Sequence, residues 1–452
     1  MTDTPFMLSV SGARGIVGKT MTSEVASNYA AAFASFLHDR LGRVPKLCVA
    51  RDSRPSGPEL AKAVADAFVS SGCEVIDLGV VATPTAGVMI GALRADGGII
   101  VTASHNPTPW NGMKCLDGDG LAPPVQDAKE IIKRFHEKIQ LSVCDSGRLE
   151  ENNLGHDTHI SKVLGIIDPK PIQKKQFRVV LDSINGAGCV GGFRLLEHLG
   201  CDVLHLNGNP TGEFAHEPEP KEVNLTGLCD AVLKFDADVG FAQDPDADRL
   251  AIVDQNGRYI GEEYTLALAV DHWLHENPGE STASNLSTSR MVDDIATTHG
   301  GISHRCAVGE ANVAGVMKEH SCIIGGEGNG GVIFPKICWV RDSLSGMALI
   351  LDLMQTRDEP LSSIVDALPK YEIIKKTIDL ADLGGIPALE KEIDRLQEQY
   401  SKDKQNNSDG LRIDFEEGWV HVRRSNTEPI ARIIAEAKDS LTAYKLAARV
   451  KL

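Results

Sequence analysis

The chain has 452 residues, is 42% apolar, and carries 46 basic against 63 acidic side chains, a net charge of −17. That length exceeds what one hydrophobic core usually serves, so two to four domains are expected, and the acidic balance argues against broad binding to nucleic acid or to an anionic membrane. No apolar run is long enough for a membrane span, no basic-then-apolar leader opens the sequence, and the ten cysteines form no C-x-x-C pair; a cytoplasmic protein with reduced thiols and a small-molecule ligand is expected.

A helix-like run over Glu24–Leu41 leads to a strand at Lys46–Ala50, a helix at Pro58–Ser70 and a strand at Glu74–Leu78. Helices alternating with short apolar strands indicate α/β layers. The apolar run Gly98–Val101 then opens onto the polar loop Thr102-Ala103-Ser104-His105-Asn106-Pro107. Gln140–Gly155 is polar and poorly periodic, a candidate boundary. The alternation restarts with a strand at Phe177–Asp182, the turn Asn185-Gly186-Ala187-Gly188 and a helix around Phe193–Leu199. Val239–Ala242 runs into Asp244-Pro245-Asp246, and Cys322–Ile324 into Gly325-Gly326-Glu327, two junctions resembling the one at Ser104. Repetition of one α/β unit is therefore expected, with its polar loops beyond the carboxyl ends of the strands, where such sheets collect ligands. The third unit ends near Asp358–Leu368. Ser401–Gly410 reads as an exposed loop in a last small domain, with strands at Leu411–Phe415 and Trp419–Arg423 and a helix from Ser440.

Asp244-Pro245-Asp246-Ala247-Asp248-Arg249 places carboxylates at alternate positions after a strand, hard oxygens that suit Mg²⁺. An EF-hand needs Gly and Glu where this chain has Arg249 and Gln255, so a solvated acidic turn is the remaining alternative. Gly326-Glu327-Gly328-Asn329-Gly330-Gly331 satisfies G-x-G-x-x-G, but Val332-Ile333-Phe334-Pro335 follows instead of a helix, which argues against a dinucleotide site. Glu327 and Asn329 can instead present a carboxylate and an amide to a polyhydroxylated ligand; a plain flexible glycine loop is the alternative. Arg423-Arg424-Ser425-Asn426-Thr427-Glu428-Pro429, with Arg432 beyond it, suits a phosphate dianion. Arg14 stands between glycines in Ser11-Gly12-Ala13-Arg14-Gly15, and Lys114 lies close to the serine loop in sequence. Ser104 lacks the G-x-S-x-G elbow of a hydrolase. A phosphorylated serine needs no imidazole relay, only cations about its oxygens.

In their order along the chain, the loops at Ser104, Asp244, Glu327 and Arg423 resemble the motifs of the α-D-phosphohexomutases, which include phosphoglucomutases, phosphomannomutases and phosphoglucosamine mutases. The resemblance spans Ser11 to Arg432 and implies a heart-shaped, four-domain α/β protein: three similar α/β domains and a smaller α+β C-terminal domain. It implies domains at 1–150 with the phosphoserine loop, 151–255 with the metal loop, 256–370 with the sugar loop and 371–452 with the phosphate loop. Ser104 would carry the phosphoryl group, and Asp244, Asp246 and Asp248 would bind Mg²⁺ together with an oxygen of that phosphoserine. Arg14, His105, Lys114 and Arg249 would line the transfer site, Lys114 serving as acid and base at the sugar hydroxyl. Glu327 and Asn329 would hold sugar hydroxyls, and Arg423, Ser425, Asn426, Thr427 and Arg432 would grip the phosphate that is not transferred.

The implied activity interconverts hexose 1-phosphate and hexose 6-phosphate, with hexose 1,6-bisphosphate as activator and intermediate. Glucosamine phosphate is placed first as substrate, glucose or mannose phosphate second. A phosphosugar is the expected partner, with no nucleic acid or membrane, and the protein is expected as a monomer or homodimer. Two rival readings are a phosphosugar-binding protein without catalysis and a phosphosugar phosphatase. Glu327-Gly328-Asn329-Gly330-Gly331 departs from the Glu-x-Ser-Gly-His of many relatives, so a serine-and-histidine contact to the sugar is not carried over.

Overall fold

The protein is described by a computed structural model over residues 6–9, 12–141, 147–425 and 429–450; Ser11, Asn426 and Thr427 lie outside the described residues. The chain forms two units, residues 1–272 with 329–365 and residues 273–328 with 366–452.

The first unit holds two sheets. Strands β1 (Phe6–Ser9), β2 (Gly12–Ile16), β3 (Lys46–Arg51), β4 (Glu74–Val80), β5 (Gly97–Val101), β6 (Trp110–Asp117) and β7 (Arg148–Glu151) are ordered β1-β2-β6-β5-β3-β4-β7. At the centre β3 runs parallel to both β4 and β5, and β5 turns back into antiparallel β6. Every residue of β5 is buried, as its run of Gly, Ile and Val predicts for a strand covered on both faces. The helix Ser23–Leu41 starts where the Thr22 hydroxyl accepts from the Val25 amide, ends on left-handed Gly42, and buries an alanine-rich face. The second sheet, in the order β11-β10-β8-β9, comprises β8 (Arg178–Asp182), β9 (Asp202–Leu206), β10 (Val239–Gln243) and β11 (Leu250–Asp254). Here β8 is parallel to β9 and β10, and β10 turns back into antiparallel β11.

In the second unit β12 (Thr282–Asn285) is parallel to β13 (Ser303–Cys306) on one side and β14 (Ile324–Glu327) on the other. The expected repeat is therefore present three times: a first strand flanked by the second and third, with the polar loop after the third. β15 (Gly331–Ile333) belongs to the first unit and is extended, which is why the glycine loop opens no dinucleotide-binding helix. The last sheet, β16 (Glu372–Asp379), β17 (Lys404–Asn406), β18 (Leu411–Asp414), β19 (Gly418–Arg424) and β20 (Ile430–Ala437), is antiparallel in the order β16-β20-β19-β18-β17. A closing helix covers Ser440–Arg449, with Asp439 as its cap.

Three sequence expectations differ from the structure. The second-sheet helix starts at Gly188, not near Phe193, because Gly188 and Gly192 let it lie directly on the Gln243 side chain; a Cβ at Gly188 would stand 2.3 Å from Gln243 Oε1. Ser401–Gly410 is not wholly loop: Lys404–Asn406 pairs with β18 as an edge strand. Within the polar stretch Gln140–Gly155, β7 adds in parallel to β4 with all four residues exposed, so no apolar signal announces it. No helix among the described residues is long and apolar enough to cross a membrane.

The start of β11 is locked to the glycine loop, since the Leu250 amide donates to the Gly330 carbonyl at 2.9 Å. Gly330 has φ +85°, and a Cβ there would sit 2.4 Å from the Leu250 carbonyl oxygen. Gly330→Ala is expected to cost about 2 kcal/mol or more. A urea melt measures this, and an unshifted midpoint would contradict the close approach.

Candidate active site

Ser104 follows β5 with φ +50° and is 2% exposed. A non-glycine residue pays for this left-handed backbone unless its surroundings hold it there. Arg54, fully buried after β3, does so by spending all five guanidinium N–H groups. Nη2 donates to the carbonyls of Ser104 and Asn106, both at 2.6 Å. Nη1 donates to the carbonyls of Pro107 at 2.9 Å and Trp110 at 3.0 Å. Nε donates to Asp52 Oδ2 at 3.0 Å. The same carboxylate oxygen accepts from the Thr102 hydroxyl at 2.7 Å, and Thr102 Oγ1 accepts from the Ser104 amide at 2.9 Å. Burial pushes the Asp52 carboxyl up, against the pull of Arg54 and Thr102; its charge depends on that guanidinium.

The loop after β10 supplies the opposing wall. Asp244 Oδ1 accepts from the amides of Asp248 and Arg249, each at 3.1 Å, which closes the turn, while Asp244 Oδ2 stands 3.3 Å from Ser104 Oγ. Asp246 accepts from the Thr83 hydroxyl at 2.7 Å and Asp248 from Arg341 Nη2 at 2.6 Å. Lys114 Nζ lies 3.3 Å from Asp246 Oδ2 and 3.2 Å from Asp248 Oδ2. Arg14 donates to Asn106 Oδ1 at 3.0 Å and feels the charges of Asp246 and Asp248.

One oxygen from each of Asp244, Asp246 and Asp248 falls within 4.8 Å of the others, and all three residues are buried. Among the described residues Asp246 Oδ1 and Asp248 Oδ1 have no hydrogen-bond partner. Buried carboxylate oxygens without donors are costly, and hard oxygens in this arrangement fit a divalent cation such as Mg²⁺. Burial, then the charges of Asp248 and Asp246, push the Asp244 carboxyl well above its ordinary range. Burial acts on Asp248 too, but Arg341, Lys114 and Arg249 outweigh it and hold that carboxyl below the ordinary range.

His105 Nδ1 accepts from Arg249 Nη2 at 3.0 Å and lies 3.4 Å from Ser104 Oγ. The Arg249 charge, followed by burial, holds the imidazole well below its usual pKa. It is therefore a neutral ring with its acceptor already engaged, a poor base for a serine.

Ser104, His105, Arg14, Lys114, Arg249 and the three aspartates are thus gathered in the first unit. Glu327 and Asn329 fall in different units. Glu327 is buried and accepts from Asn285 Nδ2 at 2.8 Å and the Gly309 amide at 3.1 Å. In the second unit Arg423 and Arg432 are directly opposed across β19 and β20, and the backbone N–H of the buried Ser425 donates to the Ile430 carbonyl at 2.9 Å. Asp52, Arg54, Thr83 and Arg341 were not singled out from sequence. Asp52 and Arg54 sit in a polar loop after a parallel strand, the same signal that marked Ser104; Thr83 and Arg341 carry no local signal.

Repeated α/β units that bring a serine, an acidic triad and four cations together, followed by an antiparallel C-terminal sheet, are the makings of a sugar-phosphate mutase. Family models for phosphoglucomutase/phosphomannomutase match along the chain: α/β/α domain I at residues 7–142, domain II at 157–257, domain III at 261–371 and the C-terminal domain at 382–452. A phosphoglucomutase/phosphomannomutase of Thermococcus kodakarensis is 37% identical, covering 95% of this chain and 94% of the relative. A phosphoglucosamine/phosphogalactosamine mutase of Sulfurisphaera tokodaii is 31% identical over 98% of each chain. The crystal structure of a phosphoglucomutase/phosphomannomutase family protein from Burkholderia thailandensis superposes with a TM-score of 0.85 at 27% identity, covering 98% of this chain and 95% of that one. The chain belongs to the α-D-phosphohexomutase family and is an isomerase of that class.

Removing the Arg54 guanidinium strands a buried carboxylate and four carbonyls. Arg54→Met is expected to lose about 3–5 kcal/mol of stability. Arg54→Lys keeps the charge but can fill only three of the five donor positions; it should fold and turn over at least about tenfold more slowly. Denaturant melts and steady-state rates decide this, and an Arg54→Lys variant with wild-type turnover would refute the role.

Proposed function

We propose that the protein interconverts hexose 1-phosphate and hexose 6-phosphate through a phosphoserine at Ser104 and a bisphosphorylated sugar. Glucosamine phosphate is the first candidate substrate; glucose or mannose phosphate is the second, and the names of the relatives divide the same way. The observation that carries the reading is Ser104 Oγ at 3.3 Å from Asp244 in a buried triad whose Asp246 and Asp248 each keep an unpartnered oxygen. A serine oxygen there has nothing to attack in an acyl-transfer sense, yet everything a phosphoryl group needs around it.

Asp244, Asp246 and Asp248 would hold Mg²⁺, with an oxygen of the phosphoserine completing the set. Bound there, the ion would neutralise charge developing on the phosphoryl oxygens. Arg14, Lys114, Arg249 and Arg341 already offset the three carboxylates, so a divalent cation and a dianionic phosphoserine enter as a balanced pair. In the transfer, a free sugar hydroxyl attacks phosphorus, the bond from phosphorus to Ser104 Oγ breaks, one proton is delivered to the leaving Ser104 oxygen, and the sugar hydroxyl's proton replaces it on the donor. Lys114 is assigned to that proton exchange. Its Nζ, set between Asp246 and Asp248, can pass a proton on without leaving the pocket. Catalysis of this step is mainly positioning and neutralisation, and neutral His105 contributes by orienting Arg249.

Recognition of the other phosphate is assigned to the loop after β19. Arg423 and Arg432 stand directly opposite across antiparallel strands, so both basic side chains belong to one face of the sheet and suit a shared anion. With Ser425, Asn426 and Thr427 they would grip the phosphate that is not transferred. Glu327 and Asn329 would read the sugar hydroxyls. A hexose 1,6-bisphosphate would turn end over end between the two half-reactions, so the grip must accept either phosphate.

The test incubates the protein with Mg²⁺, a trace of hexose 1,6-bisphosphate and the 1-phosphates of glucosamine, glucose and mannose in turn, and quantifies 6-phosphates. Ser104→Ala should lose more than about 10³-fold in turnover; isomerisation at the wild-type rate would rule out the covalent route. Release of inorganic phosphate without isomerisation would identify a phosphatase instead. Asp246→Asn should weaken activity and Mg²⁺ dependence together, so a normal Mg²⁺ titration at full rate in that variant would refute the metal assignment.

A further inference from the structure

Asp409 sits in the stretch expected from sequence to be a plain exposed loop, yet it is half-buried and highly connected. Its Oδ2 accepts from Arg423 Nε at 2.7 Å and from the Val308 amide at 3.1 Å. Its carbonyl accepts from His421 Nε2 at 2.7 Å, and His421 Nδ1 accepts from the Ser287 hydroxyl at 2.9 Å. The Ser287 amide donates to Asn285 Oδ1 at 2.8 Å, and Asn285 Nδ2 donates to Glu327 Oε1 at 2.8 Å. Glu327 Oε1 also accepts from the Gly309 amide at 3.1 Å, the neighbour of Val308. The bonds close into a ring within the second unit: Asp409, His421, Ser287, Asn285, Glu327, then Gly309 and Val308 back to Asp409.

Such a ring has two outlets. One is Arg423, 4% exposed, whose Nη2 is buried with no hydrogen-bond partner among the described residues. A buried guanidinium nitrogen without an acceptor is costly unless a ligand supplies one. The other is the Glu327 carboxylate. Burial pushes the His421 imidazole down to about 4, so it stays neutral, donating on one side and accepting on the other, and the ring keeps one polarity at working pH.

We infer that Asp409 is a positioning residue that aims the Arg423 fork at the phosphate not being transferred and, through Val308 and Gly309, couples that grip to the sugar-reading Glu327. This rests on the roles proposed above for Arg423 and Glu327. The coupling gives the enzyme a means of reading phosphate and sugar as one ligand: loss of either contact loosens the backbone that holds the other.

The test uses the full chain with Asp409→Asn, which keeps the shape but replaces a charged acceptor. KM for the preferred hexose 1-phosphate and the inhibition constant of inorganic phosphate should both rise about ten- to a hundredfold, with kcat changed far less and the melting temperature nearly kept. In a double-mutant cycle, Asp409→Asn and Glu327→Gln together should raise KM by less than the product of their separate factors. An unchanged KM, strictly multiplicative effects, or a fall in kcat that tracks a large loss of thermal stability would each overturn the inference. If wild type isomerises and Asp409→Asn matches it, only this inference fails. If wild type neither isomerises hexose phosphates nor is inhibited by phosphate, the functional reading fails and this inference with it.

Discussion

Arg54 is the constraint on which the site depends. A guanidinium removed from water must find an acceptor for every N–H, and here four of the five acceptors are carbonyls of the segment from Ser104 to Trp110. The requirement works in both directions. The loop satisfies the arginine, and the arginine bends the loop so that a serine accepts a left-handed backbone and turns its oxygen toward Asp244. Phe214 lies over the other face of the guanidinium at 4.9 Å, which helps to keep water from competing.

The acidic triad follows a related logic of compensation. Three carboxylates at the end of one strand would repel one another in a dry interior. They are tolerated because the chain brings Lys114 from β6, Arg341 from the far end of the first unit and Thr83 from a helix start to meet them. All three partners meet Asp246 Oδ2 or Asp248 Oδ2, which leaves the Oδ1 atoms of both residues without a hydrogen bond among the described residues. The result is a buried acidic cluster whose geometry suits a hard cation.

What could be read from sequence was the part written contiguously. Ser104, the triad and the Arg423 loop are runs of polar residues directly after apolar strands, and a local window contains both halves of that signal. The β-branched run after the glycine loop likewise sufficed to expect an extended segment there and not a helix, as β15 shows. Thr83 and Arg341 were illegible because their meaning lies in a partner 163 or 93 positions away. Gly188 read as the end of a turn because the Gln243 side chain it accommodates belongs to another element. The exposed β7 and the largely exposed β16 lack the apolar alternation that marks strands, since their pairing comes mainly from the neighbouring strand.

β7 has a further consequence. It is the last strand of the seven-stranded sheet, and its four residues, Arg148, Leu149, Glu150 and Glu151, expose three charges along the open margin. A bare row of amides and carbonyls invites any extended chain to add itself. A foreign strand docking here would have to strip water from those charges, so the margin repels recruits. Many copies of this enzyme can then crowd together without their sheets zipping at this margin.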